Sequence, residues 1–272
     1  MKFLSRFYIA LIFLILYAPI LVVILFSFNR SGSLSQFSGF SFYWYRELFR
    51  DGEALKALKN SLILAVLSSL LATVLGTLCA FAIDRSKRKW FARSVETVTN
   101  IPMMNPDIVT GVSMMLLFVG VAGLLKTASL LGFWTMLIAH TTFNLPYVTL
   151  SVLPKLRQMD NSLSEAALDL GCTPAQTFFR VELPSILPGV LSGLMMSFTL
   201  SLDDFVISHF VSSADFRTLP LYIYNQTAHE VKFSMYALCT LIILVILALL
   251  IAVNFAGSVG QRRQRRKAGA RG

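Results

Sequence analysis

Long apolar runs alternate with short polar segments along the whole chain. A helix needs about 20 mostly apolar residues to cross the hydrocarbon core of a bilayer, and six runs reach that length. The pattern therefore predicts an all-α, polytopic membrane protein that forms one transmembrane domain over residues 1–272. The six predicted spans cover residues 7–28, 60–83, 107–126, 132–153, 186–208 and 233–256.

The composition agrees with a membrane protein. Of the 272 residues, 56% are hydrophobic and 14% are charged, whereas soluble domains carry about a quarter charged residues. The net charge of +10 does not indicate binding to nucleic acid, because the basic residues stand in clusters between the apolar runs. Clusters of that kind define the orientation of spans in a membrane.

The positions of lysine and arginine predict that both termini lie in the cytoplasm. Cytoplasmic loops are enriched in these residues, and most of the 24 lysine and arginine residues fall in the inner segments of this arrangement. The polar segment 154–185 then faces the cytoplasm. The basic tail 257–272 is expected to lie near the anionic headgroups of membrane lipid.

The sequence shows no motif for catalysis or metal binding. The three cysteines and three histidines are scattered, without a CxxC pair or the spacing of metal ligands. The chain also lacks a GxxxxGK[ST] phosphate loop and the GxSxG and HExxH motifs. We therefore expect no catalytic residue, no bound metal and no cofactor in this chain.

The polar segment 154–185 begins with signals for a short helix. Ser162 and Glu165 have the spacing of a capping box, in which each side chain accepts a hydrogen bond from the backbone amide of the other residue. Gly171 is placed to end this helix in a left-handed conformation, which glycine adopts without steric cost.

A second short helix is predicted directly after the first. Thr173 is its N-cap, Pro174 its first residue and Gln176 the partner that reaches back to the cap. Pro184 is expected to end it. Such a helix pair suits either an ordinary loop packed on its own bundle or a surface that binds another protein.

The same segment matches a family signature, Glu-Ala-Ala-x3-Gly-x9-Ile-x-Leu-Pro. The matching positions, with Val181 in place of the isoleucine, are Glu165, Ala166, Ala167, Gly171, Leu183 and Pro184. On this motif the chain resembles the permease subunits of binding-protein-dependent ABC importers. The resemblance implies a type I (MetI-like) permease fold, and it implies that the segment docks on an ATP-hydrolysing subunit and couples ATP hydrolysis to transport.

The resemblance also implies a location and a set of partners. The expected location is the bacterial inner membrane. The expected partners are a second permease subunit, two ATP-binding subunits and a periplasmic binding protein. ATP and magnesium would then bind to the ATPase partners, and closure of those partners would drive alternating access of the permease to the two sides.

Acidic residues near the membrane suggest a cationic solute. Asp203 and Asp204 lie in the fifth predicted span, where a carboxylate costs about 2.5–3.5 kcal/mol at a helix centre, and Asp107 opens the third. Trp44 and Tyr222 could stack on alkylammonium groups. The alternatives are structural. Asp203 could cap a broken helix or bond to Ser or Asn in the bundle, Asp107 could be an N-cap or an acid of the first helical turn, and the aromatic residues could form an interfacial belt.

The run Leu202-Asp-Asp-Phe-Val-Ile-Ser208 is similar to permeases of the spermidine/putrescine type. This similarity implies a polyamine solute and a periplasmic polyamine-binding protein. Importers of another small solute, such as ferric iron or an aminophosphonate, remain an alternative. A stand-alone cation carrier is a second alternative, although such a carrier has no need for a capped helix pair in the cytoplasm.

Overall fold

The computed structural model describes residues 2–31, 36–127, 130–228, 232–248 and 251. Within these ranges the regular structure is helical, apart from an isolated antiparallel bridge between Asn29 and Phe40. The chain divides into two compact units. Unit 1 comprises residues 1–55 and 223–272, and unit 2 comprises residues 56–222.

The helices are short connectors and long apolar rods. In chain order they are α1 (Lys2–Ser27), α2 (Tyr43–Arg50), α3 (Gly52–Arg85), α4 (Lys89–Met104), α5 (Asp107–Leu124), α6 (Phe133–Arg157), α7 (Asn161–Asp169), α8 (Pro174–Thr177), α9 (Leu183–Asp203), α10 (Val206–Val211), α11 (Leu219–Thr227) and α12 (Ser234–Ala248). A π-helical turn, Phe178–Glu182, joins α8 to α9.

Five helical stretches are long and apolar enough to cross a membrane within the described residues. They contain α1, α3, α5, α6 and the α8–α9 rod, and they correspond to the first five predicted spans. The sixth predicted span, 233–256, is described over residues 233–248, which include α12, and at residue 251. Its residues 249, 250 and 252–256 lie outside the described residues. Residues 257–272, the predicted lipid-facing tail, also lie outside them.

The fifth span differs from its prediction over 186–208. The helix begins earlier, at Leu183, and α9 stops at Asp203 before α10 resumes at Val206. In an unbroken helix the side chains of residues 203 and 204 would differ only by the rotation of about 100° between neighbouring residues. The break allows the two carboxylates to lie in different surroundings.

Unit 1 holds a cluster of aromatic side chains around the start of α2. The indole Nε1 of Trp44 donates to the carbonyl of Asn29 at 2.7 Å, and its ring lies 5.5 Å from that of Phe233. Phe28 and Phe42 pack edge to face at 5.5 Å. The aromatic residues around the start of α2 therefore pack on one another and on Phe28 and Phe233, in the geometry that aromatic pairs prefer.

Close helix packing organises unit 2 around α6. A Cβ atom at Gly76 of α3 would lie 2.8 Å from Val148 Cβ, and one at Gly193 of α9 would lie 3.1 Å from Val148 Cα. A Cβ atom at Gly189 would lie 2.8 Å from the carbonyl oxygen of Ser151. Small residues at these crossings let the backbones approach closely, as in other membrane helix bundles.

Candidate functional site

The segment 154–185 forms the predicted helix pair, but α7 has a different cap. The sequence predicts Ser162 as the N-cap, whereas the structure places Asp160 there, with Oδ1 accepting from the Ser162 amide at 3.0 Å. An aspartate cap also places negative charge at the positive end of the helix. Hydrogen bonds from the Ser162 backbone amide and side chain lower the pKa of the Asp160 carboxyl from its usual value.

Gly171 ends α7 as predicted. Its φ is +85°, in the left-handed region. The Cys172 amide donates to the Ala167 carbonyl at 3.0 Å, and the Gly171 amide donates to the Leu168 carbonyl at 2.9 Å. These two bonds form a Schellman motif, so the prediction of a left-handed glycine at this turn is confirmed.

The second helix starts as predicted and ends differently. The Gln176 amide donates to Thr173 Oγ1 at 3.3 Å, and Gln176 Oε1 accepts from the Thr173 amide at 3.0 Å. The prediction that Pro184 ends this helix is wrong, because the helical path continues through the π-helical turn into α9. Pro184 lies in the first turn of α9, where the amide that proline lacks is not needed.

The signature residues of this segment differ in exposure. Glu165, Ala166, Gly171 and Pro184 are exposed, whereas Ala167 is buried with 8% of its surface accessible. Exposed apolar side chains also surround these positions: they are Leu163, Leu168, Leu170 and Phe179. Several exposed apolar residues on one capped helix pair are typical of a protein-binding surface.

Glu182 lies inside the π-helical turn and is buried. Its carboxylate forms an ion pair with Arg85 at the end of α3 and accepts from Ser164 Oγ of α7 at 2.8 Å. Sequence reasoning missed this role. The only local signal is a charged residue between Val181 and Leu183, at the start of an apolar run.

The break after α9 is held by the carboxylate of Asp204. Its Oδ1 accepts from the Ile207 amide at 3.2 Å, and its Oδ2 accepts from the Ser208 amide at 2.8 Å. The carboxylate thus satisfies two amides at the start of α10, which otherwise lack intrahelical partners. Capping of a broken helix is the structural alternative that the sequence suggests for Asp203, and the structure shows it at the neighbouring residue.

His140 of α6 contacts residues on both sides of this break. Its Nε2 lies 3.4 Å from Asp204 Oδ2 and 3.2 Å from Ser208 Oγ, and its Nδ1 lies 2.8 Å from Ser201 Oγ. Ser201 Oγ in turn lies 2.9 Å from Ser68 Oγ of α3. We call these five residues the His140 network, and sequence reasoning, which treats His140 as one of three scattered histidines, missed it.

The other predicted solute residues are not gathered into one site. Asp203 is exposed and has no hydrogen bond or ion pair with any described residue. Asp107 is exposed in the first turn of α5. Tyr222 is buried, with 5% of its surface accessible, and Trp44 belongs to the aromatic cluster of unit 1.

The described residues offer no metal centre, since no three His, Cys, Asp or Glu side chains among them are grouped to hold an ion. The arrangement provides two kinds of site instead. One is the exposed surface of the 154–185 segment, backed by the buried Glu182. The other is the helix break, where the Asp204 carboxylate is hydrogen-bonded to the protein and the Asp203 side chain is exposed.

Comparison with known proteins places these features in a family. The family model described as "Binding-protein-dependent transport system inner membrane component" matches residues 72–265. The chain is 38% identical to the putrescine transport system permease protein PotI of Escherichia coli K12 over 231 residues, 85% of this chain and 82% of PotI. It is also 38% identical to the spermidine/putrescine transport system permease protein PotC of Haemophilus influenzae, over 89% of this chain and 91% of that protein.

The fold is similar to a solved importer structure. A chain of a bacterial ABC transporter involved in the import of alginate superposes with a TM-score of 0.75. The match covers 96% of this chain and 95% of that chain at 17% sequence identity. The likeness concerns the fold alone, and it confirms the predicted all-helical permease fold of an ABC importer.

Proposed function

Since this chain belongs to the family of inner-membrane components of binding-protein-dependent transport systems, we propose that the solute it carries is a polyamine such as spermidine or putrescine. The chain is a permease subunit of an ABC importer and not an enzyme. It translocates its solute by alternating access, and separate ATP-binding subunits supply the energy.

The exposed carboxylate of Asp203 is the observation that supports a cationic solute. It stands at the end of α9, beside the helix break, without a basic partner among the described residues. An unpaired acid in a membrane-spanning segment attracts a cation and disfavours an anion. The solutes of the relatives PotI and PotC, putrescine and spermidine/putrescine, support the same class of solute.

The two neighbouring aspartates take different roles in this proposal. Asp203 contacts the solute, directly or through water. Asp204 holds the break between α9 and α10 and positions Asp203. Asp107 adds a second exposed acid, while the burial of Tyr222 and the hydrogen bond of Trp44 to Asn29 favour structural roles for these two aromatic residues.

The 154–185 segment is the proposed coupling site. Its exposed residues Glu165, Ala166, Gly171 and Pro184 would contact an ATP-binding subunit together with the apolar side chains around them. Ala167 supports this surface from within, because it is buried. This assignment requires both termini and the segment to face the cytoplasm, as the positions of lysine and arginine predict.

The proposed complex contains this permease, a second permease subunit, two ATP-binding subunits and a periplasmic polyamine-binding protein. ATP and magnesium bind to the ATPase partners, and membrane lipid surrounds the spans. A periplasmic binding protein selects the solute before the permease receives it. The permease therefore needs only a cation-compatible path.

Uptake by cells that lack their own polyamine importers tests the solute. Cells that express the complete complex should accumulate radiolabelled spermidine or putrescine, and ferric iron or an aminophosphonate in excess should not compete. If the complex accumulates ferric iron or an aminophosphonate and no polyamine, the transported solute is that one and the polyamine proposal is wrong. Polyamine uptake without the ATP-binding subunits would instead indicate a stand-alone cation carrier.

A further inference from the structure

Glu182 is a buried carboxylate that joins three separate elements. It lies on the π-helical turn, forms an ion pair with Arg85 at the end of α3, and accepts from Ser164 Oγ of α7 at 2.8 Å. Ser164 is itself buried and directly precedes Glu165 of the family signature. The three side chains therefore connect α7, in the proposed coupling segment, to the membrane span α3.

A second contact joins α3 to the π-helical turn. The ring of Phe81 on α3 packs edge to face on that of Phe178 in the π-helical turn, with 4.9 Å between centroids. A buried charge that loses its partner is strongly unfavourable, so the Arg85–Glu182 pair resists separation. The ion pair and the aromatic contact together hold the inner end of α3 against the turn.

The helix α3 is long enough to carry a displacement across the membrane. It has 34 residues, which at 1.5 Å per residue is on the order of 50 Å. Midway along it, Ser68 Oγ lies 2.9 Å from Ser201 Oγ, and Ser201 bonds to His140. A continuous set of contacts thus leads from α7 through α3 to the helix break at Asp204.

We propose that Arg85, Ser164 and Glu182 form a clamp that makes α7 and α3 move as one body. A shift of α7 on the ATP-binding subunit is then passed to α3, and through Ser68 and Ser201 to the His140 network. This inference rests on the proposed coupling function of the 154–185 segment. Glu182 is a positioning residue in this scheme, since it acts through α3 and contacts neither ATP nor solute.

The structure also offers a matched control. Arg157 at the end of α6 pairs with Glu96 of α4 at 3.1 Å. This pair has the same residue types and joins α4 to α6. Glu96 lies outside the 154–185 segment, and Arg157 lies at its start, on α6, with no contact to α7 or the π-helical turn through this pair. Glu96→Gln therefore removes an ion pair without touching the clamp.

The test is the ratio of solute transported to ATP hydrolysed by the complete complex in proteoliposomes, driven by its binding protein. Glu182→Gln should lower this ratio about tenfold while the ATP-binding subunits still copurify with the permease. The double exchange Arg85→Glu with Glu182→Arg should recover most of the ratio, and Glu96→Gln should leave it within about twofold of the parent.

Three results would overturn the clamp: an unchanged ratio in Glu182→Gln, an equal loss in Glu96→Gln, or a charge exchange that recovers nothing. If Glu182→Gln does not assemble, Arg85→Lys and Ser164→Ala provide the same comparison with smaller changes, and an unchanged ratio in both overturns the proposal. Failure of the proposed function is distinguishable, because the parent complex itself would then show no ATP-driven polyamine uptake.

Discussion

His140 Nε2 lies 3.4 Å from Asp204 Oδ2, and this contact joins α6 to the break between α9 and α10. The same carboxylate caps α10, so its hydrogen-bonding capacity is used within the protein. Asp203, one residue earlier, is exposed. Two adjacent aspartates with identical chemistry therefore have opposite surroundings, and their substitution should have different consequences.

Asp203→Asn should weaken solute uptake without unfolding the protein. The change removes a charge from an exposed position and keeps the side-chain shape, and such substitutions usually alter stability by less than about 0.5 kcal/mol. Loss of one ionic contact worth about 1.4 kcal/mol raises KM about tenfold. Initial rates of radiolabelled spermidine uptake measure the effect, and an unchanged KM would remove Asp203 from the solute path.

His140→Ala should destabilise the protein. Removal of the imidazole leaves the buried hydroxyls of Ser201 and Ser208 without this hydrogen-bond partner, at about 1–3 kcal/mol for each unsatisfied group. Thermal unfolding of the detergent-solubilised permease measures the change, with Asp203→Asn as the variant that should keep the parent melting temperature. Equal melting temperatures for His140→Ala and the parent would show that the network does not hold the break.

Gly171→Ala should weaken assembly with the ATP-binding subunits. The φ of +85° disfavours any residue with a Cβ, at a cost of about 1–2 kcal/mol, although no atom lies within 4 Å of the added methyl group. The affinity of the two subunits should fall about 5- to 30-fold.

Gly171→Asn is the matched variant for this turn, because asparagine tolerates the left-handed region better than alanine does. It should retain more of the affinity than Gly171→Ala, as measured by titration of purified ATP-binding subunit onto the permease. If both variants bind like the parent, the conformation of the turn has no part in docking.

The start of α7 should loosen in acid. The ionised carboxylate of Asp160 accepts from Ser162, which lowers its pKa below the usual value of 3.8. A lowered pKa stabilises the folded form above that usual value, and the contribution is lost as the pH falls through the lowered pKa. Hydrogen exchange of the 161–169 amides should therefore lose protection below about pH 3.8 in the parent and show no such step in Asp160→Asn.

Local signals in the sequence were sufficient for the spans and for the turn at Gly171. Apolar runs of about 20 residues predict the places of α1, α3, α5 and α6, because the thickness of the bilayer determines the length of a span. The prediction misses the polar start of α3, which begins at Gly52 and not at residue 60. The glycine and the Thr173 cap depend on backbone geometry within a few residues. Such features need no knowledge of distant contacts.

The buried polar contacts could not be predicted in the same way. Arg85 and Glu182 are 97 positions apart, and His140 reaches Ser208 over 68 positions. Only the packing of α6 on α9 brings His140 beside Asp204. The continuation of the helix through Pro184 also depends on a π-helical turn, which no residue in the 178–182 segment specifies by itself.

Spermidine uptake into proteoliposomes that contain the complete complex tests the central claim most directly. Vesicles supplied with ATP, magnesium and the loaded polyamine-binding protein should accumulate radiolabelled spermidine. Vesicles without ATP, or with Asp203→Asn permease at low spermidine concentration, should take up about a tenth as much or less. Equal uptake with and without the ATP-binding subunits, or no spermidine uptake by a complex that transports another solute, would contradict the account.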